Sequence, residues 1–166
     1  AAAQKETRMS AVGAGGSGAV GQHLLRALPE RCERVISLGR RQLGAAGVDE
    51  RIVDFGQLEP SEEATHAFCA FGTTMKIAGS KAAFTRVDHD FVLSFADALP
   101  KLRSFSLVSS VGASASSRNF YLRTKGEVEQ KLAQRDFRQL IIAQPSMLLT
   151  PREEGRPGAA LGQALT

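Results

Sequence analysis

The chain has one tyrosine, Tyr121, and Lys125 follows it four residues later. Residues four apart lie on the same face of a helix, so these two side chains can meet. A cation beside a phenol favours the phenolate and so eases proton transfer near neutral pH. Such a tyrosine can give a proton to a carbonyl oxygen while a hydride reaches the carbon, which is general acid catalysis. The same spacing also arises by chance, so the pair needs supporting features elsewhere.

Two serines stand upstream of the tyrosine. Ser109 and Ser110 come at the end of a short apolar run, 105–109, that predicts a strand. Ligands of open parallel sheets bind at the carboxyl ends of the strands. A serine hydroxyl in that place can hydrogen-bond the carbonyl oxygen that the tyrosine protonates, so either serine is a candidate third catalytic group.

A glycine cluster near the amino end predicts a dinucleotide site. It lies directly after a predicted strand and opens a predicted helix, as a phosphate-binding loop requires. Two registers fit, one made by Gly13, Gly15 and Gly18 and one by Gly15, Gly18 and Gly21. Glycines allow positive φ and close approach of the backbone to a pyrophosphate, and the helix terminus offers N–H groups to it. A plain glycine-rich turn is the alternative interpretation.

The end of the second predicted strand bears on cofactor choice. A site for NAD usually has Asp or Glu there to hold the ribose 2′-hydroxyl, but this chain has Arg40 and Arg41. Guanidinium groups suit a 2′-phosphate, which favours NADP(H) over NAD(H). Asp54, after the third strand, is placed to reach an adenine amino group. A solvated arginine pair and a turn aspartate are the competing interpretations.

Strands and helices alternate along the chain. The patterns predict strands over 9–13, 34–38, 51–54, 67–71, 105–109 and 140–143, and helices over 18–28, 84–99 and 121–134. Any helix over 57–65 is poorly marked. The order predicts an α/β fold, a doubly wound parallel sheet of the Rossmann type with three αβα layers.

One predicted helix carries a continuous apolar stripe. Its members, spaced along one helical face, are Phe84, Val87, Phe91, Val92, Phe95 and Leu99. The consecutive Asp88, His89 and Asp90 point in different directions, so they cannot converge on one metal ion. We expect these three residues to lie on a solvated face.

Composition limits the class of protein. The chain has 166 residues, 43% of them hydrophobic, with 21 basic and 17 acidic residues for a net charge of +4. These values indicate a single globular domain spanning 1–166, and the charge is too small to indicate a nucleic-acid partner. No apolar run approaches the about 18 residues of a membrane span, and no signal peptide is visible. Cys32 and Cys69 form no CxxC pair, so we expect reduced thiols and a cytoplasmic protein.

The combined motifs resemble the short-chain dehydrogenase/reductase superfamily, and more narrowly its atypical branch around the Tat-interacting oxidoreductase-like and nitrogen-repressor-like proteins. The segments that carry the resemblance are GGSGAVG at 15–21, ISLGRR at 36–41, VDF at 53–55, FGTT at 71–74, RVDHDF at 86–91, LVSSVGA at 107–113 and FYLRTKGEVE at 120–129. The match extends from about residue 9 to residue 158, and its specificity lies in the order and spacing of the segments.

The resemblance implies a role for each matching residue. It selects the second glycine register and makes Tyr121 the acid/base, with Ser110 as the substrate-oxygen donor. Lys125 would hold the nicotinamide ribose and favour the phenolate. The implied cofactor-binding residues are Gly15, Ser17, Gly18, Ala19, Val20, Gly21, Arg40, Arg41, Asp54, Phe71, Gly72, Tyr121, Lys125, Leu148 and Arg156.

The implied function is an NADP(H)-dependent oxidoreductase that reduces a carbonyl-type small molecule. The alternative is a dinucleotide-binding regulatory protein with little catalysis, because the branch contains such members. The sequence departs from the pattern in carrying Gln144 where relatives have arginine before proline, and in a short stretch over 43–65. It also stops at Thr166, so we expect the substrate-covering part to be shortened. A homodimer and a protein partner stay open.

Overall fold

The computed structural model describes residues 9–146 and residue 148, and these form one six-stranded sheet with helices on both faces. All neighbouring strands pair in parallel, in the order β3-β2-β1-β4-β5-β6. The strands are β1 Ser10–Ala14, β2 Arg34–Gly39, β3 Asp49–Ile52, β4 His66–Cys69, β5 Ser104–Val108 and β6 Gln139–Ala143. This is the doubly wound arrangement of a Rossmann fold, so the predicted fold class is confirmed.

The helices are shorter and more numerous than the sequence pattern suggests. They are α1 Ala19–Ala27, α2 Met75–Ala78, α3 Lys81–Thr85, α4 Phe91–Asp97 and α5 Phe120–Ala133. A 3₁₀ turn, Leu28–Glu30, follows α1, and a π-helical turn, Arg86–Asp90, joins α3 to α4. Among the described residues, no helix is long and apolar enough to cross a bilayer.

The strand order places a ligand crevice. The chain forms β1 in the middle of the sheet, proceeds to β2 and β3 on one side, and returns to β4 on the other side of β1. Ala14, the last residue of β1, lies in register with Leu38 of β2 and Cys69 of β4. The connection that follows β1 leads to one side of the sheet, and the connection that follows β4 leads to the other side. An open crevice therefore lies between the carboxyl ends of β1 and β4.

The main core lies between the sheet and the α4–α5 layer. Phe95 of α4, Leu132 of α5 and Phe105 of β5 are fully buried in this core. A smaller cluster of Ala11, Leu28 and Val35 packs beneath α1 on the opposite face. The larger layer therefore fixes α5, on which the candidate catalytic pair lies.

The connection from β3 to β4 contains no helix, as the weak pattern over 57–65 indicated. An ion-pair network holds it instead: Arg34 and Arg51 both contact Asp49 and Glu63, at N–O distances of 2.8 to 3.3 Å. Hydrogen bonds and charge from Arg51 hold the pKa of both carboxyl groups below their ordinary values. The network connects β2 and β3 to the helix-free segment that precedes β4.

The predicted solvated face over 88–90 is wrong for Asp88 and also for His89, whose side chain is only 12% exposed, and it holds for Asp90. Asp88 is 1% exposed, whereas Val87 and Phe91 of the predicted stripe are only half-buried. The π-helical turn explains the difference. It adds a residue to one turn of the helix, so the residues that face the core no longer follow the regular α-helical spacing. Phe84, Asp88 and Val92 consequently point into the protein.

Candidate functional site

A cleft of about 540 Å³ opens at the carboxyl ends of β1, β2 and β4. Its walls are the glycine loop, the turn after β2 and the segment after β4. Seven of the predicted cofactor residues line it: Gly15, Ser17, Gly18, Arg40, Arg41, Phe71 and Gly72. The sequence motifs from three separate segments thus meet around one cavity.

The glycine loop is shaped by close contact with its neighbours. Gly15 has φ of +84°, and a β-carbon there would overlap the carbonyl of Ala70. A β-carbon at Gly21 would overlap the carbonyl oxygen of Gly15, because α1 packs directly on the loop. Gly13 has ordinary space around it. The steric requirements therefore fall on Gly15 and Gly21, whereas a β-carbon at Gly18, which both registers share, would make only ordinary contacts.

The amino end of α1 faces the cleft. Gly18 is its N-cap residue and no side chain caps the helix. The first backbone N–H groups of a helix have no partner within the helix, and the helix dipole makes this end positive. Ala19 and Val20, predicted near the phosphates, begin α1 immediately behind Gly18. The end is thus suited to an anion.

Glu50, a residue that the sequence analysis did not single out, shapes the turn after β2 that carries Arg40 and Arg41, the arginine turn. Its two carboxylate oxygens accept the backbone N–H groups of Leu43 and Gly44, each at 2.9 Å. It lies in β3 and lines the cleft, while Arg40 and Arg41 stay exposed on the same wall. The only sequence signal was a carboxylate within a short polar strand, which is too common to be noticed.

A second cavity of about 410 Å³ adjoins the arginine turn. It is lined by Arg40, Asp54 and Arg86 with apolar residues of the same three segments. Oδ1 of Asp54 accepts the N–H of Gly56 at 2.8 Å, so this residue has the turn role that was the competing interpretation. Its predicted adenine contact stays a prediction. Arg86, whose guanidinium lies 5.6 Å from the centre of the Phe91 ring, was missed.

Three phenylalanines form the wall between the cavities. The ring centres of Phe55 and Phe71 are 4.7 Å apart in an edge-to-face arrangement, and Phe91 lies 5.7 Å from Phe55. All three line the main cleft. The wall is therefore rigid and apolar next to the predicted cofactor residues 71 and 72.

The predicted catalytic pair meets on one face of α5. The ammonium of Lys125 lies 5.8 Å from the centre of the Tyr121 ring, and that ring packs 5.4 Å from the ring of Phe84. Lys125 is buried, and its Nζ is 2.6 Å from Oδ1 of Asp88. The other oxygen of Asp88 accepts the backbone N–H of Thr73 at 3.1 Å. The lysine thus has a buried counter-ion that sequence reasoning placed in solvent.

The serines lie on a loop that packs against α5. Ser109 is buried and its hydroxyl has no hydrogen-bond partner among the described residues. Ser110 is half-buried and donates to the carbonyl of Val111 at 3.3 Å. A β-carbon at Gly126 would overlap the backbone of Ser114, so glycine permits the loop to approach the helix.

The main cleft does not reach every candidate. Among the described residues, Tyr121, Lys125 and Ser110 are not part of its lining. Leu148 is 49% exposed beyond β6. Arg156 lies outside the described residues. The dinucleotide candidates and the catalytic candidates therefore form two neighbouring groups, joined through the contact of Asp88 with Thr73.

Gln144, the departure from the expected arginine, keeps a contact to an acidic partner. Its amide nitrogen lies 2.9 and 3.1 Å from the two carboxylate oxygens of Glu129 on α5. An arginine here would form an ion pair with the same carboxylate. In this chain the residue that follows β6 therefore contacts α5 through an uncharged amide donor.

The remaining titratable groups do not add a site. Within the described part of the chain, no three His, Cys, Asp or Glu side chains are grouped to hold a metal ion. Cys32 and Cys69 are both free thiols, Cys32 half-buried and Cys69 buried. Burial raises the pKa of the Cys69 thiol to about 12, so this residue behaves as a small apolar side chain.

The fold has many solved counterparts. The chain matches MoeE5 in complex with UDP-glucose and NAD with a TM-score of 0.67, 16% identity, and coverage of 81% of this chain and 53% of that one. It matches the Bordetella bronchiseptica enzyme WbmG in complex with NAD and UDP with a TM-score of 0.68, 16% identity, and coverage of 86% and 54%. At this identity the likeness establishes the fold alone.

The sequence relatives are closer. No protein-family model matches the chain. Protein HTATIP2 of Rattus norvegicus is 37% identical over 163 residues, which cover 90% of this chain and 66% of that protein. Mitochondrial protein FMP52 of Candida glabrata is 34% identical over 161 residues, covering 92% and 69%. The chain thus spans about two thirds of the length of these relatives and about half of the solved structures.

The relatives also correct one expectation. FMP52 of Candida glabrata, Meyerozyma guilliermondii and Debaryomyces hansenii is in each case named a mitochondrial protein. This contradicts the cytoplasmic localisation that Cys32 and Cys69 suggested, because the lack of a CxxC pair does not distinguish the cytoplasm from an organelle. The identities show that the chain belongs to the family of HTATIP2 and FMP52, and its fold agrees with the resemblance to the atypical branch of the short-chain dehydrogenase/reductase superfamily.

Proposed function

We propose that the chain binds NADP(H) in the main cleft and reduces a carbonyl-type small molecule, with Tyr121 as acid/base. The observation that carries the proposal is the connection between the two groups of candidates. Lys125 pairs with Tyr121 on one face of α5 and contacts Asp88, which in turn holds Thr73 in the wall of the cleft. The catalytic helix is thereby attached to the place where a dinucleotide would lie.

The cleft suits a dinucleotide in shape and charge. Gly15 packs closely on Ala70 and carries no side chain, so the backbone of the loop is accessible to a ligand. The amino end of α1, which no side chain caps, offers N–H groups to a pyrophosphate. Arg40 and Arg41 would bind a 2′-phosphate at the far wall. MoeE5 and WbmG, which share the fold, are complexes with NAD, and this supports the class of ligand.

The chemistry divides between cofactor and protein. Bound NADPH supplies the hydride. Tyr121 gives its hydroxyl proton to the carbonyl oxygen, so that the product is the neutral alcohol and the tyrosine is left as phenolate. Lys125 stabilises that phenolate by its charge and binds the nicotinamide ribose, and the hydroxyl of Ser110 donates to the same carbonyl oxygen. Phe71 and Gly72, which line the cleft, would border the cofactor along the apolar wall.

The test combines turnover with binding. Aldehydes, ketones and quinones are screened for NADPH oxidation by loss of absorbance, and the best substrate is repeated with Tyr121→Phe. Removal of one hydroxyl should lower kcat by about 10²–10⁴-fold while the dissociation constant for NADPH stays within twofold. A substrate whose turnover survives Tyr121→Phe would contradict the assigned acid/base. Phe120→Tyr in the Tyr121→Phe background is the matched control, because it restores a phenol at the adjacent position of α5, whose ring also packs on Phe84, but not at position 121.

A second function has an observation in its favour. Lys125 is buried on Asp88, and the hydroxyl of Ser110 is bonded to its own loop, so neither group is presented to the main cleft. A regulatory protein that senses the dinucleotide would need only the cleft. It predicts NADPH binding without turnover on any carbonyl compound, and no change in binding when Tyr121 becomes Phe.

A further inference from the structure

The connection between β3 and β4 leaves room beneath it. Residues 53–65 contain no helix, so the inner face of β1 and β2 beside α4 is covered by the helix-free segment 55–64. A cavity of about 370 Å³ lies under this segment. Protein interiors are packed about as densely as organic crystals and hold few voids larger than a water molecule, so a space of this size is unusual. Its volume falls in the range of ligand sites in proteins, about 300–1,000 Å³.

The wall that the sheet and α4 give to this cavity is apolar. It consists of Val12 of β1, Ile36 and Leu38 of β2, Phe95 of α4, and Ala98 and Leu99 directly after α4. Val12, Ile36 and Phe95 are at most 3% exposed. Apolar cavities of proteins stay dry and take up apolar molecules, because water finds too few hydrogen-bond partners in them. The wall therefore suits an apolar occupant.

The segment over the cavity is held in place along its length. The hydroxyl of Ser94 on α4 donates to the carbonyl of Phe55 at 2.7 Å. The N–H of Ser61 donates to the carbonyl of Ala98 at 2.8 Å. Near the end of the segment, Glu63 forms part of the ion-pair network of β2 and β3. The chain alone thus forms the cavity, and ligand sites in proteins are usually formed in advance in this way.

The polar side chains that line the cavity disfavour an anion. Asp54, Glu59 and Glu63 are exposed carboxylates of the lining. Among the described residues of the lining, the cation is Arg51, which already contacts Asp49 and Glu63 at 2.8 Å. An anionic ligand would meet these carboxylates without an unpaired cation, and a buried charge without a partner is costly. A neutral molecule carries no such cost.

We propose that this cavity is a second ligand site, which binds a neutral, largely apolar small molecule such as a compound with a fused aromatic ring system. Leu38 is the one described residue that lines both this site and the main cleft. The proposal does not depend on the proposed function, because neither the glycine loop nor the pair of Tyr121 and Lys125 lines the second site.

The test uses indole, a neutral fused ring, and protein in which the isoleucine methyl groups are labelled for NMR. Ile36 lines the proposed site and Ile77 lines the main cleft, so the two signals distinguish the cavities. Indole should shift the Ile36 signal saturably and leave the Ile77 signal unchanged. The chain has no tryptophan, so the fluorescence of indole measures the same affinity directly. Indole-2-carboxylate should bind at least about tenfold more weakly, since its charge would be buried without a partner.

Two variants fill the cavity from opposite walls. Ala98→Leu adds bulk beside α4, and Ala64→Leu adds it from the segment, where Ala64 is 5% exposed and lines the cavity. Each should weaken indole binding at least about tenfold, because ring and leucine together would overpack the space. Ala133→Leu makes the same substitution at an exposed position at the end of α5 and should bind indole as the wild type does.

Several results would overturn the second site. A shift of the Ile77 signal without that of Ile36 would place indole in the main cleft, and saturable shifts of neither signal would leave the cavity without a ligand. Equal affinities for indole and indole-2-carboxylate would contradict the neutral ligand class. Unchanged indole binding by a folded filling variant would contradict the location, and if neither variant folds, the wild-type methyl shifts decide. None of these results bears on the proposed function, which NADPH binding and turnover decide.

Discussion

Gly126 of α5 lies against the backbone of Ser114, so closely that a β-carbon at position 126 would overlap the Ser114 carbonyl carbon. The N–H of Ser114 also donates to the carbonyl of Leu122 at 3.1 Å. The loop that begins with Ser109 and Ser110 is thus pressed onto the helix one residue after Lys125. This contact between the loop backbone at Ser114 and α5 sets the position of Ser109 and Ser110 relative to Lys125.

Gly126→Ala should therefore disturb the serine loop. The added methyl group has no space, and overpacking of this kind costs about 1–3 kcal/mol of unfolding free energy. We expect a lower urea midpoint and a loss of turnover, with 2′,5′-ADP binding unchanged because the arginine turn lies elsewhere. Gln130→Ala, at an exposed position of the same helix, is the control. Wild-type stability in Gly126→Ala would show that the loop moves away without cost.

Gly18→Val should separate folding from binding. A β-carbon at Gly18 would lie 3.5 Å from the nearest atom, the carbonyl oxygen of Gly15, which is ordinary contact. The fold should tolerate the substitution, but the side chain would occupy the cleft that Gly18 lines. We expect a melting temperature close to that of the wild type and no measurable NADPH binding by fluorescence. Ala27→Val adds the same kind of bulk at the exposed far end of α1, and it should bind normally.

Arg40→Ala/Arg41→Ala should remove the preference for the phosphorylated cofactor. One charged hydrogen bond to the 2′-phosphate contributes about 1.5–3 kcal/mol, or roughly tenfold to a hundredfold in affinity. The variant should lose NADPH affinity by this factor and keep its NADH affinity. Arg26→Ala/Arg31→Ala, which removes two exposed arginines at and just beyond the end of α1, controls for the change in net charge. Equal wild-type affinities for NADPH and NADH would refute the preference.

The sheet was predictable because most of its parallel strands are short apolar runs between stop signals. The observed strands begin and end within about two residues of the predicted ones, with the largest shift at β3, which is Asp49–Ile52 instead of 51–54. Polar side chains at the sheet edge explain that shift: Asp49 and Arg51 form ion pairs and do not follow the apolar pattern. The glycine loop was also predictable, because backbone geometry restricts the residue types that can form it.

The central feature of the site was not predictable from periodicity. A helical pattern assumes a constant residue spacing, and the π-helical turn at Arg86–Asp90 breaks it. Asp88 therefore appeared polar and exposed, although it is buried against Lys125. Glu50 was missed for another reason, because its partners are backbone N–H groups of Leu43 and Gly44, which leave no mark in the sequence.

His66 at the start of β4 gives a prediction for the pH dependence of stability. Burial and the nearby positive charge of Arg103 both lower the pKa of His66 below its ordinary 6.5. The Nδ1 atom lies 2.8 Å from the hydroxyl of Thr65, a contact that the neutral ring can make. In the unfolded chain the ring takes up a proton as the pH falls below about 6.5, whereas in the folded chain it stays neutral to lower pH.

The free energy of unfolding should consequently fall as the pH is lowered from 7.5 to 5.5, because the unfolded state binds more protons in that window. Urea unfolding at several pH values measures the slope, and His66→Gln should make it shallower. His23→Gln removes an exposed histidine and should leave the slope as in the wild type. The lowered pKa values of Asp49 and Glu63 act in the same direction, but only below about 4.5, so they do not contribute in this range. An unchanged slope in His66→Gln would show that His66 titrates alike in the folded and unfolded chains.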